Sequence, residues 1–193
     1  RRPRLMCICD RMGVDEEDEK VMGNDDLVGK VEAQAPPTKS SPIGEIFYGY
    51  LMLCANSFQP AMGYLYRALA LQQSDPLLCL LCGVASLGRS TNRQVDNRNH
   101  TIIQGMALFT HYAELRGDIP EVDYNFARAY HHLNLVHLAV PRYERVLERA
   151  SSKASKGTFD MAREAAFNLA MIFTQSGSPD LARHLYRTWL AVE

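Results

Sequence analysis

Three features of the sequence predict an all-α fold, a superhelix (α-solenoid) of about four helical hairpins. Apolar residues recur at intervals of three and four, stop signals separate paired stripes, and one block returns at a spacing of 34 residues. The stretch YNFARAYHHLNLVHLAVPRYERVL holds one copy in full. Phe126, Ala129, Tyr130 and Leu133 form a first helical stripe, and Val136, Ala139, Val140, Tyr143, Val146 and Leu147 a second. Asn134 between them is a natural helix stop. Ala127 and Ala139 are small enough for two antiparallel helices to approach closely.

A hairpin of this kind buries only one face by itself, so further copies are expected along the chain. AAFNLAMIFTQSGSPDLARHLYRTWL aligns without a gap, with Asn168 on Asn125, Ala170 on Ala127, Phe173 on Tyr130, Ala182 on Ala139, Tyr186 on Tyr143 and Leu190 on Leu147. Upstream, EIFYGYLMLCANSFQPAMGYLYRAL puts Gly49 on Ala127, Phe58 on Val136, Ala61 on Ala139 and Leu69 on Leu147. The remaining copy is split. Its first helix, PLLCLLCGVASLG, carries Gly83 at the small-residue position, and its second, IIQGMALFTHYAEL, carries Gly105 where Ala61 and Ala139 stand.

Gly49 to Gly83 and Gly105 to Ala139 are each 34 residues. Ala61 to Gly105 is 44 and Ala139 to Ala182 is 43, which places insertions near 88–99 and 150–159. A helix-turn-helix unit at this period resembles the tetratricopeptide repeat. Four copies in one register make the resemblance specific.

The chain has 193 residues, 47% hydrophobic and 22% charged, with a formal net charge of −1. That is enough to bury a continuous core without disulfides. No apolar run reaches the eighteen or so residues that a membrane span requires, and no signal-peptide pattern opens the chain, so an intracellular setting is expected. Cys7, Cys9, Cys54, Cys79 and Cys82 are odd in number, and three fall inside predicted helices, as reduced thiols would. Asn99-His100-Thr101 has the form of a glycosylation acceptor but lacks a secretory context.

Residues 1–41 differ in character. DEEDE, GNDD and APPTKSSP combine charge, Gly and Pro with little periodicity, the composition of a disordered, acidic, Pro-rich linker. An acidic recruitment segment is the competing reading. RRPRLMCICDRM at the start reads as the end of a preceding repeat, so the chain is expected to be part of a longer array whose C-terminal portion is 42–193.

Signals for catalysis are weak, and neither an enzyme nor a cofactor is expected. Cys79 and Cys82 have the spacing of half a zinc site, but no second Cys or His pair follows, and both fall on a core-facing stripe. His131 and His132 are adjacent, so a helix cannot aim both at one metal. No Gly-rich phosphate loop, nucleophile elbow or paired carboxylate motif is present. Basic residues gather around the second insertion, and Arg145, Arg149 and Lys153 are the candidates for phosphate contact. The competing reading is a solvated loop and a helix end whose dipole favours cations.

A solenoid presents the surface of its first helices to partners. The register predicts that surface to contain Ile46, Tyr50 and Leu53, then Leu80, Val84 and Leu87, then Tyr124, Arg128 and His131, then Phe167 and Met171. Its first half is apolar, which predicts a protein partner presenting a helix or extended segment with apolar anchors, and Arg128 and His131 suit a polar or acidic end. A generic peptide-binding adaptor and a nucleic-acid-contacting module are the alternatives. A carboxylate-clamping co-chaperone is disfavoured, because only Arg128 is cationic on that surface.

LLCLLCGVASL, a polar insertion, RNHTIIQGMALFTHYAELRG and YNFARAYHHLNLVHLAVPRYERVLE occur in this order. The series resembles the C-terminal repeats of the tetratricopeptide subunit of transcription factor IIIC. Gln104-Gly105, Leu115-Arg116-Gly117 and the run from His132 to Ala139 stand at the family's places, with Asn134 where Gly is usual and Pro141 inside a helix that it is expected to kink. The resemblance covers about residues 42 to 192. It implies a non-catalytic nuclear scaffold that helps to assemble the factor on tRNA-type promoters for RNA polymerase III. Its partners would be other subunits of the factor and, beyond them, initiation factor IIIB. Contact with DNA would be weak or indirect, and neither a membrane nor a small-molecule substrate is implied.

Overall fold

A computed structural model of the chain describes residues 41–92, 95–151 and 161–191. Among them every regular element is helical. The described residues divide into two compact units, one running up to Tyr112 and the other from Ala113 onward. The expected linker and preceding repeat lie outside the described residues, apart from Ser41.

The first unit contains α1 (Pro42–Cys54), α2 (Phe58–Leu71), α3 (Pro76–Ser90) and most of α4 (Arg98–Arg116). The second contains α5 (Pro120–His132), α6 (Val136–Ser151), α7 (Ala162–Gln175) and α8 (Pro179–Leu185), which continues as a π-helical turn, Tyr186–Leu190. Proline opens α1, α3, α5 and α8 within the first turn, where its missing N–H costs nothing. Asp75 caps α3, its Oδ1 accepting from the backbone N–H of Leu77 at 2.8 Å and of Leu78 at 3.4 Å.

The turns repeat in detail. Asn56, Asn134 and Gly177 each stand seven residues after the small residue of the first helix, and their φ angles are 54°, 61° and 81°. At each, the following N–H reaches back to a carbonyl five residues earlier: Ser57 to Met52 at 2.9 Å, Leu135 to Tyr130 at 2.8 Å and Ser178 to Phe173 at 2.8 Å. The left-handed residue and this bond are the helix stop that Asn134 predicts. In the second hairpin the same position is Ser90, still helical, and α3 and α4 are joined instead by the inserted stretch.

Small residues set the helix separation. A Cβ added at Gly49 would lie 2.6 Å from Cγ of Leu65, and one added at Gly83 would lie 2.7 Å from the Phe109 ring and 3.3 Å from the carbonyl oxygen of Gly105. Ala127 and Ala170 occupy the equivalent first-helix positions, Ala139 the second-helix position of Gly105, and all three are fully buried. One core cluster joins Met52, Leu65, Ala68, Leu81 and Ala85 in the first unit. In the second, Tyr143, Val146, Leu169, Ile172 and Leu185 belong to another.

α6 runs through Pro141, which lies inside it as expected and on its exposed side. Tyr186 does not reproduce the burial of Tyr143, being 39% exposed where Tyr143 is sealed. Leu185, the last residue before the π-helical turn that begins at Tyr186, takes the buried place.

Gly83→Ala is expected to lower stability although alanine favours helix by about 1 kcal/mol, because the Phe109 ring must yield at a cost of about 1–3 kcal/mol. Gly44→Ala, where an added Cβ meets nothing within 4 Å, is expected to raise it. Thermal melting of the two variants reads the opposite signs.

Candidate functional site: a protein-binding face on the first helices

On α1 and α3, Ile46, Tyr50 and Val84 are half-buried and keep apolar surface in reach of solvent. Leu53, Leu80 and Leu87, expected beside them, are buried at 6%, 9% and 2%. Leu53 packs into the cluster shared by α1, α2 and α3, and Leu87 lies where a Cβ on Gly105 would meet it. Close helix approach at Gly105 thus holds Leu87 inside. The open apolar surface of the first unit is therefore narrower than the register suggests.

On α5 and α7, Arg128, His131, Phe167 and Met171 are half-buried, whereas Tyr124 is buried at 8%. The Tyr124 hydroxyl accepts from Nη1 of Arg128 and from Nδ2 of Asn168, each at 3.3 Å, and its ring meets that of Tyr143 edge-on at 6.1 Å. Tyr124 thus links α5, α6 and α7 and holds the Arg128 side chain in place. The His131 ring stands edge-on to Tyr143 at 6.3 Å. Burial, and then the Arg128 charge, hold the His131 pKa below its ordinary value.

The basic end of α6 is occupied by internal partners. Arg142 Nη1 donates to Oδ1 of Asp123 at 2.6 Å, and Arg149 Nη2 donates to Oδ1 of Asp118 at 2.6 Å. Arg145 lies 3.5 Å from Asp118 and 3.4 Å from Asp123. The hydrogen bond from Arg149 holds the Asp118 carboxyl below the usual carboxylate range. Three guanidinium groups face two carboxylates, so the cluster keeps a single net positive charge. Arg145 and Arg149 are therefore already engaged, and a phosphate would compete with Asp118 for them. Lys153, the third candidate, lies outside the described residues.

Asp123 is only 2% exposed, and the register reading did not single it out. Its counterpart in the first hairpin is Glu45, 5% exposed, whose Oε2 accepts from Nε and Nη2 of Arg67 at 3.0 and 2.8 Å. Glu45 to Arg67 and Asp123 to Arg145 are both intervals of 22 residues. An acid on the first helix paired with an arginine 22 residues on was the available signal. Each charge-assisted bond of this type contributes about 1.5–3 kcal/mol, less where the arginine is exposed, and fixes the register of one helix on the other.

Cys79 and Cys82 are fully buried, and burial pushes the Cys82 thiol up to about 12. A thiol held protonated is a poor metal ligand. Among the described residues no group of three or more His, Cys, Asp or Glu is placed to hold a metal. No described helix is long and apolar enough to cross a membrane.

No family model matches the chain. Over 182 residues it is 35% identical to the transcription factor tau subunit sfc4 of Schizosaccharomyces pombe, a match covering 86% of this chain and 18% of that protein. The transcription factor tau 131 kDa subunit of Saccharomyces cerevisiae is 31% identical over 179 residues, covering 90% of this chain and 17% of the relative. The human general transcription factor 3C polypeptide 3 is 28% identical over 150 residues, 76% of this chain and 17% of its own length. The chain thus spans less than a fifth of the curated relatives it matches.

The His131 shift has a definite sign. A histidine whose folded pKa lies below its unfolded value of about 6.5 contributes stability that is complete above that value and lost as pH falls through the folded one. Stability measured by urea unfolding is expected to fall between pH 7 and pH 5, and His131→Gln should flatten that part of the slope.

Proposed function

We propose, from a chain related over most of its length to the tetratricopeptide subunit of transcription factor IIIC, that it is a non-catalytic assembly surface within that factor. Kinship with three proteins named as transcription factor subunits carries the reading. The fold supports it, because stacked hairpins leave the first helices presenting half-buried apolar side chains to a second protein. In this reading Ile46, Tyr50 and Val84 receive apolar anchors, and Leu53, Leu80 and Leu87 stiffen the backbone beneath them. Arg128, His131, Phe167 and Met171 form a second contact area with one fixed cation, and Tyr124 holds that cation in place. The partners are other subunits of the same factor, with initiation factor IIIB beyond them, and the setting is the nucleus.

Direct contact with nucleic acid is the lesser role. The candidate phosphate ligands Arg145 and Arg149 are neutralised in large part by Asp118 and Asp123. Affinity for DNA through this cluster would be weak, with the shallow salt dependence of few phosphate contacts.

Co-purification from nuclear extract tests the reading. The tagged chain is expected to retain other transcription factor IIIC subunits at moderate salt, and Tyr50→Ala combined with Val84→Asp should reduce that retention about tenfold or more, the loss of about 1.4 kcal/mol or more of binding. Circular dichroism of the double variant shows whether the fold is intact. Undiminished retention by a folded variant would contradict the assignment of this face.

A further inference from the structure

Along α1, Ile43, Phe47 and Leu51 are 78%, 58% and 39% exposed. They follow one another at intervals of four, so they form a single stripe. The 34-residue register gives Leu77, Leu81 and Ala85 the same places in the next hairpin. There Leu81 and Ala85 are buried at 8% and 0%, in the core cluster of α1, α2 and α3. Leu77 at the helix start stays 52% exposed, so the covered part is the one that Phe47 and Leu51 occupy on α1. In the last hairpin the corresponding residues are Asn168 and Ile172, buried at 8% and 4%. This face of a first helix is the one that the preceding second helix covers. Nothing among the described residues covers it on α1.

Forty residues precede Ser41 in this chain and lead directly into the N-terminus of α1. Within them Leu5, Ile8, Cys9 and Met12 stand at i, i+3, i+4 and i+7, the spacing of one helical face. The other apolar group, Val21 to Val31, is interrupted by Gly23 and Gly29. We propose that residues 1–12 supply the missing second helix and dock on α1 through the Ile43, Phe47 and Leu51 stripe.

An antiparallel arrangement sets Met12 near Ile43, Ile8 and Cys9 over Phe47, and Leu5 toward Leu51. The two stripes are matched in length, seven residues against eight at about 1.5 Å per residue. Residues 13–41 could extend to roughly 90 Å at about 3.3 Å each, several times the ~20 Å length of α1, so the connection imposes no obstacle. Charge agrees as well. Arg1, Arg2 and Arg4 fall beside the C-terminal end of α1, whose last turn carries no basic residue and whose helix dipole favours cations.

Melting of the full chain and three variants, Ile8→Glu, Phe47→Glu and the pair combined, tests this docking. Each single change is expected to lower Tm by about 2–4 °C, and the combination no further than the larger single effect, because both remove one contact. Phe47→Ser, a milder change, reads the same coupling if Phe47→Glu does not fold. An unchanged or raised Tm for Phe47→Glu would overturn the proposal by showing that the stripe lies in water. So would a loss confined to Phe47→Glu with Ile8→Glu inert, which assigns another occupant, or a Tm that rises with protein concentration, which assigns a second copy. The inference is independent of which transcription factor subunits the chain binds.

Discussion

Every hairpin depends on a residue too small to hold its two helices apart. Gly49 meets the Leu65 side chain, Gly83 meets the Phe109 ring, and Ala127 and Ala170 take the same position with one methyl each. Much else follows from that approach. It sets Leu87 against Gly105 and brings Tyr124 within reach of Tyr143. Dispersion between atoms in contact is small per pair and large in sum, so the close fit stabilises the hairpin and also shapes its surface.

Buried charge adds direction to this packing. Glu45 with Arg67, and Asp123 with Arg142 and Arg145, join a first helix to the second helix that follows it. Apolar contact tolerates sliding, whereas a carboxylate that is nearly sealed from water tolerates only the register in which its arginine reaches it. The arrangement also bears on function. Cations engaged with internal carboxylates have little capacity left for phosphate.

Much of the fold was legible because it repeats. The small residues, the turn asparagines and the 34-residue spacing each recur in one register, so errors in any single copy are outvoted by the others. The site was less legible. Leu53, Leu80 and Leu87 were expected on the surface since they share a face with Ile46, Tyr50 and Val84, and how deep a leucine sits depends on how close the next helix comes. Arg145 and Arg149 read as available cations because Asp118 lies about 30 residues away in sequence, and ion pairs at that separation leave no local pattern. Tyr186 aligns with Tyr143 and is still exposed where a π-helical turn begins, a change that the sequence count does not carry.

The first helices are the surface through which the chain is proposed to meet its partners. Hydrogen exchange of the chain, alone and within the reconstituted factor, tests this most directly. The account predicts added protection concentrated on α1, α3, α5 and α7 and little changed by moderate salt. Protection confined to the end of α6 around Arg145 and Arg149, appearing only with DNA and vanishing as salt rises, would contradict it.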